Sequence, residues 1–334
     1  MAMISPLYAA VARRRREYYA GHPARRKRLR HPVVSVGNLA VGGRGKTPTV
    51  ACIARLLRDA GERPAVLSRG YKRAQPVDGV VVVRDPEGIR SDLPRSGDEP
   101  LMLARQLPGV SVLVSEDRYL AGRLAEHHLG ATVHILDDGL QHLQLDRDVE
   151  IVIVGREDLE RPLTLPSGRL REPLDTLIVA DAILTEPGVV IESAGIVAPV
   201  FTIRRSMQDP LVDGPFGEAQ AAPPGPAVAV AGIASPSGFF TQLESAGRTL
   251  TRRLTFPDHH PFSRKDVASM MAEARASGAA CVLTTEKDYV RLLPHRPFAV
   301  PVAFVPLTME PEPLPDFRAW LAASLREARD LPGD

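Results

Sequence analysis

Short apolar runs alternate with amphipathic stretches along most of this chain. Val33-Val34-Ser35-Val36-Gly37, Ala65–Ser68, Val80–Val83, Val110–Val114, Val133–Leu136 and Glu150–Val154 are mostly β-branched. Several are apolar without a break, as strands buried on both faces are. Between several of them lie helical patterns: Thr47–Ala60, Pro100–Leu107 and Asp117–Leu129. In the first, Val50, Ile53, Ala54 and Leu57 share one face and Gly61 stands as a C-cap. This alternation predicts an α/β fold built on a doubly wound, mostly parallel sheet, with ligands at the carboxyl ends of its strands.

Residues 187–226 break the pattern. Val197–Ile203 reads as a strand, and Gln208–Pro226, rich in Pro, Gly and Ala, reads as connecting structure. A second alternating block follows. Val228–Ile233, Cys281–Thr285 and Val300–Val305 read as strands, and Ser237–Ala246, Val267–Ala276 and Phe317–Ala328 as helices. A second, smaller α/β domain is therefore expected.

The loop after the first strand is Gly42-Gly43-Arg44-Gly45-Lys46-Thr47. Small residues let backbone N–H groups close around phosphate oxygens, the lysine supplies charge toward the β- and γ-phosphates, and the threonine hydroxyl suits Mg²⁺. Pro48 sits just inside the following helix, where its missing N–H costs nothing. Ala40 stands where the usual phosphate loop begins with glycine. A nucleoside triphosphate is the expected ligand. The expected division is residues 1–31 as a basic segment, 32–190 as the phosphate-loop domain, 191–226 as a linker and 227–334 as the smaller domain.

Charge adds a feature that the apolar pattern hides. Residues 1–31 hold nine cations, Arg13 to Arg16 among them, against the single anion Glu17, so the rest of this +2 chain carries −6. Leu7, Tyr8, Val11, Tyr18 and Tyr19 are mixed with these arginines. An amphipathic helix of this kind suits an anionic membrane surface; an RNA-binding arm and a docked helix with a solvated face are the other readings. The apolar part is too short, and wrongly placed, for a secretory signal. No run is long enough to span a bilayer. Cys52 and Cys281 lie far apart in apolar segments, against a disulfide framework, and no Cys/His cluster has zinc spacing.

The strand Val133–Leu136 ends in Asp137-Asp138-Gly139, and acids there hold or orient Mg²⁺ beside a phosphate loop, unless they form only a solvated turn. Gln141-His142 follow at the same end of the sheet. Ser96-Gly97-Asp98-Glu99-Pro100 precedes a helix and offers two more carboxylates, unless Asp98 is only an N-cap. Ser68-Arg69-Gly70-Tyr71 brings a cation and an aromatic to the carboxyl edge. Asp117-Arg118 and Arg171-Glu172 fit a second anionic ligand or surface ion pairs. In the second block, His259 and His260 sit beside Asp258 in a proline-flanked loop, structural or catalytic.

Taken in order, these segments resemble the tetraacyldisaccharide 4′-kinase family. The resemblance runs from Ser35–Leu39 and Gly42–Pro48 through Ser68–Tyr71, Gly97–Pro100, Asp117-Arg118, Leu136–His142 and Leu170–Pro173 to Phe256–His260 and Leu283–Asp288. The family also lacks the first loop glycine, and Arg44 replaces a common threonine; neither change removes a reacting group. The resemblance implies ATP, Mg²⁺ and an acylated glucosamine disaccharide 1-phosphate. It implies a peripheral protein on the cytoplasmic face of the inner membrane, reached through residues 1–31. It implies two α/β domains joined by a two-stranded linker. On that basis Gly42 to Thr47 cradle the phosphates, Thr47, Asp137, Asp138 and Glu99 are the metal candidates, and Asp98 is the base, assisted by His259. Arg69, Tyr71, Arg118, Gln141, His142, Arg171 and Glu172 are candidate headgroup contacts.

Two rivals have less support. A GTPase switch normally carries an Asn-Lys-x-Asp motif, which Thr285-Glu286-Lys287-Asp288 does not match. A nucleic-acid binder lacks basic and aromatic interleaving outside the N-terminal segment. No obligate protein partner is evident.

Overall fold

The computed structural model describes residues 4–42, 45–191, 195–214 and 218–330. The chain opens with helix α1 (Ile4–Gly21), strand β1 (Val33–Asn38), α2 (Lys46–Asp59), β2 (Pro64–Ser68), β3 (Val81–Arg84), α3 (Leu93–Ser96), α4 (Asp98–Gln106) and β4 (Ser111–Val114). It continues through α5 (Arg118–His128), β5 (Val133–Asp137), β6 (Val149–Val154), α6 (Arg156–Glu160), β7 (Ala182–Thr185) and β8 (Val200–Met207). Then come β9 (Leu211–Asp213), β10 (Ala219–Ala221), β11 (Ala227–Ala231), α7 (Pro236–Ser245), β12 (Leu250–Thr255) and α8 (Arg264–Ala276). Last are β13 (Cys281–Thr285), α9 (Glu286–Leu292), β14 (Val302–Val305), β15 (Leu307–Glu312) and α10 (Leu314–Asp330). The chain forms two compact units, Met1–Arg204 with Met309–Asp334, and Arg205–Thr308. It passes between them in β8 and again in β15, neighbours in one sheet.

The first unit is built on a nine-stranded sheet ordered β15-β8-β7-β6-β1-β5-β2-β4-β3. β1 runs parallel to β5 on one side and β6 on the other, and only β3 is antiparallel to its neighbour among the registers β3 to β8. From β1 the chain goes out to β2 and the edge strand β3, returns through β4 to β5 beside β1, and then runs outward on the other side through β6, β7 and β8. The two halves diverge at β1, which makes its carboxyl end the switch point where such sheets take ligands. Pairing of Val36 with Asp137 and of Leu67 with Leu136 brings the ends of β1, β2 and β5 level.

The central strands are buried along their whole length because helices cover both faces. α2 buries Val50, Ile53, Ala54 and Leu57 as its spacing requires. It ends as the sequence signals: left-handed Gly61 donates to the Arg58 carbonyl and Glu62 to that of Leu57, satisfying carbonyls the helix leaves open. α10, grouped by sequence with the second domain, falls within the first unit. Its Phe317 is fully buried and meets Phe201 of β8 edge to face, ring centres 5.2 Å apart.

The second unit holds a six-stranded sheet ordered β10-β9-β14-β13-β11-β12. β12, β11, β13 and β14 are mutually parallel. α8 covers one face through Met270, Met271 and Ala274, and α7 the other through Phe239, Phe240 and Leu243. The stretch expected to be connecting structure instead contributes β9 and β10, paired antiparallel.

Candidate active site

β1 ends in Asn38, and the chain turns through Gly42 and left-handed Gly45 into α2. Gly43 and Arg44 lie outside the described residues. Glycine is required at 45: its φ is +76°, and a Cβ there would collide with Met309 Sδ. Lys46 and Thr47 are the first two residues of α2. Lys46 reaches back over the loop, donating from Nζ to Asn38 Oδ1 at 2.9 Å and lying 3.5 Å from Asp138 Oδ1.

Asp138 adopts φ +56°, the left-handed conformation that ends β5 abruptly. Arg171 grips its carboxylate with two parallel bonds of 2.9 and 2.7 Å, and the same guanidinium donates to Asn38 Oδ1 at 2.7 Å. Burial opposes the charge on Asp138, but the Arg171 fork and Lys46 hold its carboxyl below the ordinary range. Asp137 behaves oppositely. Burial, then the nearby Glu99 and Asp138 carboxylates, push it up to about 7, against Lys46 and Arg118. Ser68 donates to it at 3.4 Å. Among the described residues no three carboxylate, imidazole or thiolate groups converge as a preformed metal site.

Asp98 is buried at the first turn of α4 and is not its N-cap; Gly97 is, at φ +86°. The Asp98 carboxylate accepts from the Glu99 backbone N–H at 2.9 Å. A Cβ on Gly97 would stand 3.3 Å from the Tyr71 carbonyl, so the Arg69–Tyr71 turn lies against this corner. The Tyr71 ring is exposed. Arg118 is buried at the start of α5, and its charge is felt by Arg69, Asp137 and Asp138. It donates to His142 Nδ1 at 3.2 Å. Burial, then Arg118 and Arg147, push the His142 imidazole down to about 4. Gln141 donates to the Asn38 carbonyl at 3.1 Å. Glu172 is buried and receives both arms of Arg16 from α1, at 2.9 and 2.8 Å. Asn38 and Asp137 thus end β1 and β5 side by side, with Asp138, Arg171 and Lys46 joined to Asn38 or to one another at that end of the sheet.

A family model for tetraacyldisaccharide-1-P 4′-kinase matches residues 1–326. The chain belongs to the tetraacyldisaccharide 4′-kinase family. A relative of that name from Geobacter metallireducens is 39% identical over 323 residues, covering 94% of this chain and 95% of its own. One from Geobacter sulfurreducens is 40% identical over 330 residues, with 94% and 90% covered. The solved "apo" form of LpxK from Aquifex aeolicus in complex with ATP superposes with a TM-score of 0.81 at 31% identity, covering 96% of this chain and 97% of that one. The family's reaction is ATP-dependent phosphorylation of the 4′-hydroxyl of a tetraacyldisaccharide 1-phosphate, in lipid A biosynthesis.

The remaining 4′-kinase motifs lie in the second unit. His259 has φ +62°, uncommon for a side chain of its size, and its backbone N–H donates to the Gly232 carbonyl at 3.2 Å. Asp288, buried, accepts from the Gly232 N–H at 3.1 Å and from Thr285 Oγ1 at 2.7 Å, while Arg291 donates to the Gly232 carbonyl at 3.0 Å. The Thr285–Asp288 motif therefore anchors the turn that carries His259, and Lys287 Nζ stands 3.1 Å from His259 Nε2.

Three residues absent from the sequence-based site hold the first unit's arrangement together. Asn38 binds Lys46, Arg171 and Gln141 at once. A polar residue closing an apolar strand was the available signal. Arg147 donates to the Gly139 and His142 carbonyls, both at 3.2 Å, and its Nε lies 2.9 Å from Glu150 on β6. It clamps the turn that presents Asp138, Gln141 and His142, and nothing in its sequence context marks Arg147 or Glu150 as buried.

Proposed function

We propose that the phosphate loop and Lys46 cradle the β- and γ-phosphates, that Asp98 accepts the proton of the 4′-hydroxyl as it attacks phosphorus, and that His259 assists Asp98. The observation that carries this reading is the position of Lys46 Nζ, held over the loop between Asn38 Oδ1 and Asp138. Phosphoryl transfer needs mostly positioning and charge neutralisation, and a base adds ~10²–10⁴-fold.

The residues fit Mg²⁺ through oxygen donors, which is what that ion prefers. Both oxygens of Asp138 are taken by Arg171. Asp137, with Thr47 and Glu99 as further donors, is therefore the better candidate to face the metal, and a nearby divalent cation would bring its raised proton affinity down. When bound, Mg²⁺ neutralises charge on the β- and γ-phosphates. Mg²⁺ usually keeps several waters and is held by one or two carboxylates together with substrate phosphates.

The substrate's acyl chains require the enzyme at the inner membrane's cytoplasmic surface, and α1 supports this. No described helix is long and apolar enough to cross a membrane. Arg13 and Arg16 pair with Asp175 and Glu172, and Arg15 donates to the Gln141 carbonyl, so one side of α1 docks. Leu7, Val11 and Tyr18, with Arg14, fall on the opposite side and are exposed. That stripe, rather than the whole arginine run, is the membrane-facing element.

Lys46→Ala tests the phosphate-loop reading. Transfer to the acylated disaccharide should vanish with melting unchanged; near-normal turnover would remove the loop from the mechanism. Leu7→Gln with Val11→Gln should cut sedimentation with anionic vesicles and spare activity on a detergent-dispersed acceptor. Unchanged sedimentation would leave α1 a docked helix only.

A further inference from the structure

Gly45 of the phosphate loop and Met309 of β15 touch where the chain returns from the second unit to the first. Leu307 and Thr308, the first two residues of β15, belong to the second unit, and Met309 begins the segment that belongs to the first. We infer that Met309 is a positioning residue for phosphoryl transfer. Its thioether fixes the exit of the phosphate loop to β15, and β15 carries that position to the turn that holds His259. The inference rests on the roles proposed above for the loop and for His259.

The contact falls on backbone. Met309 Sδ and Cε fill the space that a Cβ on Gly45 would need, so the thioether packs on a main chain that cannot turn aside as a side chain does. Gly45 is the N-cap of α2, left-handed at φ +76°. Its carbonyl accepts from the Thr49 N–H at 3.1 Å and from Thr49 Oγ1 at 2.9 Å. The cap and the first turn therefore move as one piece, and Lys46 is the first residue of that turn. An unbranched, polarisable methionine suits such an uneven surface.

The other end of the same short segment is tied to the support of the histidine. The Leu307 N–H donates to Glu286 Oε2 at 3.1 Å. Glu286 opens α9, and the next residue, Lys287, places its Nζ 3.1 Å from His259 Nε2. Leu307 and Met309 are two positions apart in one strand, a rise of about 7 Å. β15 is also fastened along its length. The Pro306 carbonyl accepts from the Gln208 N–H at 2.9 Å. Thr308 Oγ1 donates to the Ser206 carbonyl at 3.3 Å and accepts from Gln208 Nε2 at 3.2 Å. Arg204 of β8 pairs with Glu312 at 3.2 Å. A segment held in this way passes a displacement on instead of absorbing it.

The test is steady-state kinetics at saturating acceptor with varied ATP. Met309→Ala should lower kcat about ten- to a hundredfold, the scale of a small misplacement of reacting groups. The KM for ATP should stay within about twofold, because Lys46 and the loop N–H groups remain. Met309→Leu, apolar and close in volume, should recover most of kcat. In a His259→Ala background, Met309→Ala should cost less than about twofold more. An unchanged kcat, with or without a raised KM for ATP, would make Met309 a local prop at most and overturn the inference. So would a loss that multiplies in full with that of His259→Ala. Hydrogen exchange supplies a readout that does not depend on the variant folding. In wild type, a non-hydrolysable ATP analogue with Mg²⁺ should slow amide exchange in α9 as well as in the first turn of α2, and Met309→Ala should lose the slowing in α9 alone. Slowing confined to α2 in wild type would sink the idea. Failure of the underlying assignment looks different: His259→Ala by itself would then keep the wild-type kcat.

Discussion

Lys287 Nζ lies 3.1 Å from His259 Nε2, and Asp258 flanks both, 3.8 Å from the ammonium and 3.9 Å from the imidazole. An ammonium only donates, so Nε2 accepts and the ring proton belongs on Nδ1. Lys287 is thus a positioning residue for His259. Lys287→Met should lower kcat about tenfold, the value of one hydrogen bond, with little change in the KM for ATP. Lys287→Arg should recover part of the loss. In a His259→Ala background the Lys287→Met substitution should cost almost nothing more. A full further loss there would show that Lys287 acts on something else.

The fork from Arg171 to Asp138 keeps that carboxylate from claiming Lys46, which already lies 3.5 Å from it. Arg171→Ala should therefore lower kcat/KM for ATP, by about 10–100-fold, because Lys46 would turn to Asp138 and away from phosphate. Arg171→Lys should restore little, since lysine cannot make the two parallel bonds. Adding Asp138→Asn to Arg171→Ala should recover ATP affinity. Steady-state kinetics with varied ATP reads all three.

Arg147 and Glu150 form a buried pair, and burial pushes the Glu150 carboxyl up while Arg147 opposes that. Arg147→Met leaves a carboxylate stranded and should cost about 3–5 kcal/mol in urea unfolding. Arg147→Met with Glu150→Gln should regain most of that stability. Activity should stay low in the double variant, because the Gly139 and His142 carbonyls still lack their donor. Parallel recovery of stability and activity would assign Arg147 to stability alone.

Burial, with Arg118 and Arg147, holds the folded His142 near 4, well below the ordinary ~6.5. Between those values the unfolded chain binds a proton that the folded chain does not, so stability falls as pH drops through that window. Above pH ~6.5 this contribution is flat. His142→Asn should make the stability profile shallower between pH 6.5 and 4, read by denaturant midpoints at successive pH values. An unchanged slope would mean that His142 does not titrate there.

The phosphate loop, the strand-end acids and the alternation that builds both sheets were legible because each depends on local order. β12 was not: its Leu250-Thr251-Arg252-Arg253-Leu254-Thr255 is an edge strand whose charges face out, which reads as loop. β9 and β10 were hidden by their short length within a Pro- and Gly-rich stretch. Gly43 and Arg44, read as loop residues, lie outside the described structure. The arginine run read as one cationic face, yet Arg13 and Arg16 are tied to Asp175 and Glu172 more than 150 positions away. Asn38, Arg147 and Lys287 matter through partners that are remote in sequence or set by a turn, and no spacing rule reaches them.

The central proposal is that Asp98 accepts the 4′-hydroxyl proton and that His259 assists it. The most direct measurement is a double-mutant cycle on kcat at saturating ATP and acceptor, using Asp98→Asn, His259→Ala and the pair. Each single variant should lose about 10²–10⁴-fold, and the double variant should be little worse than the poorer single. Losses that multiply in full, or an Asp98→Asn defect confined to ATP affinity, would contradict the account.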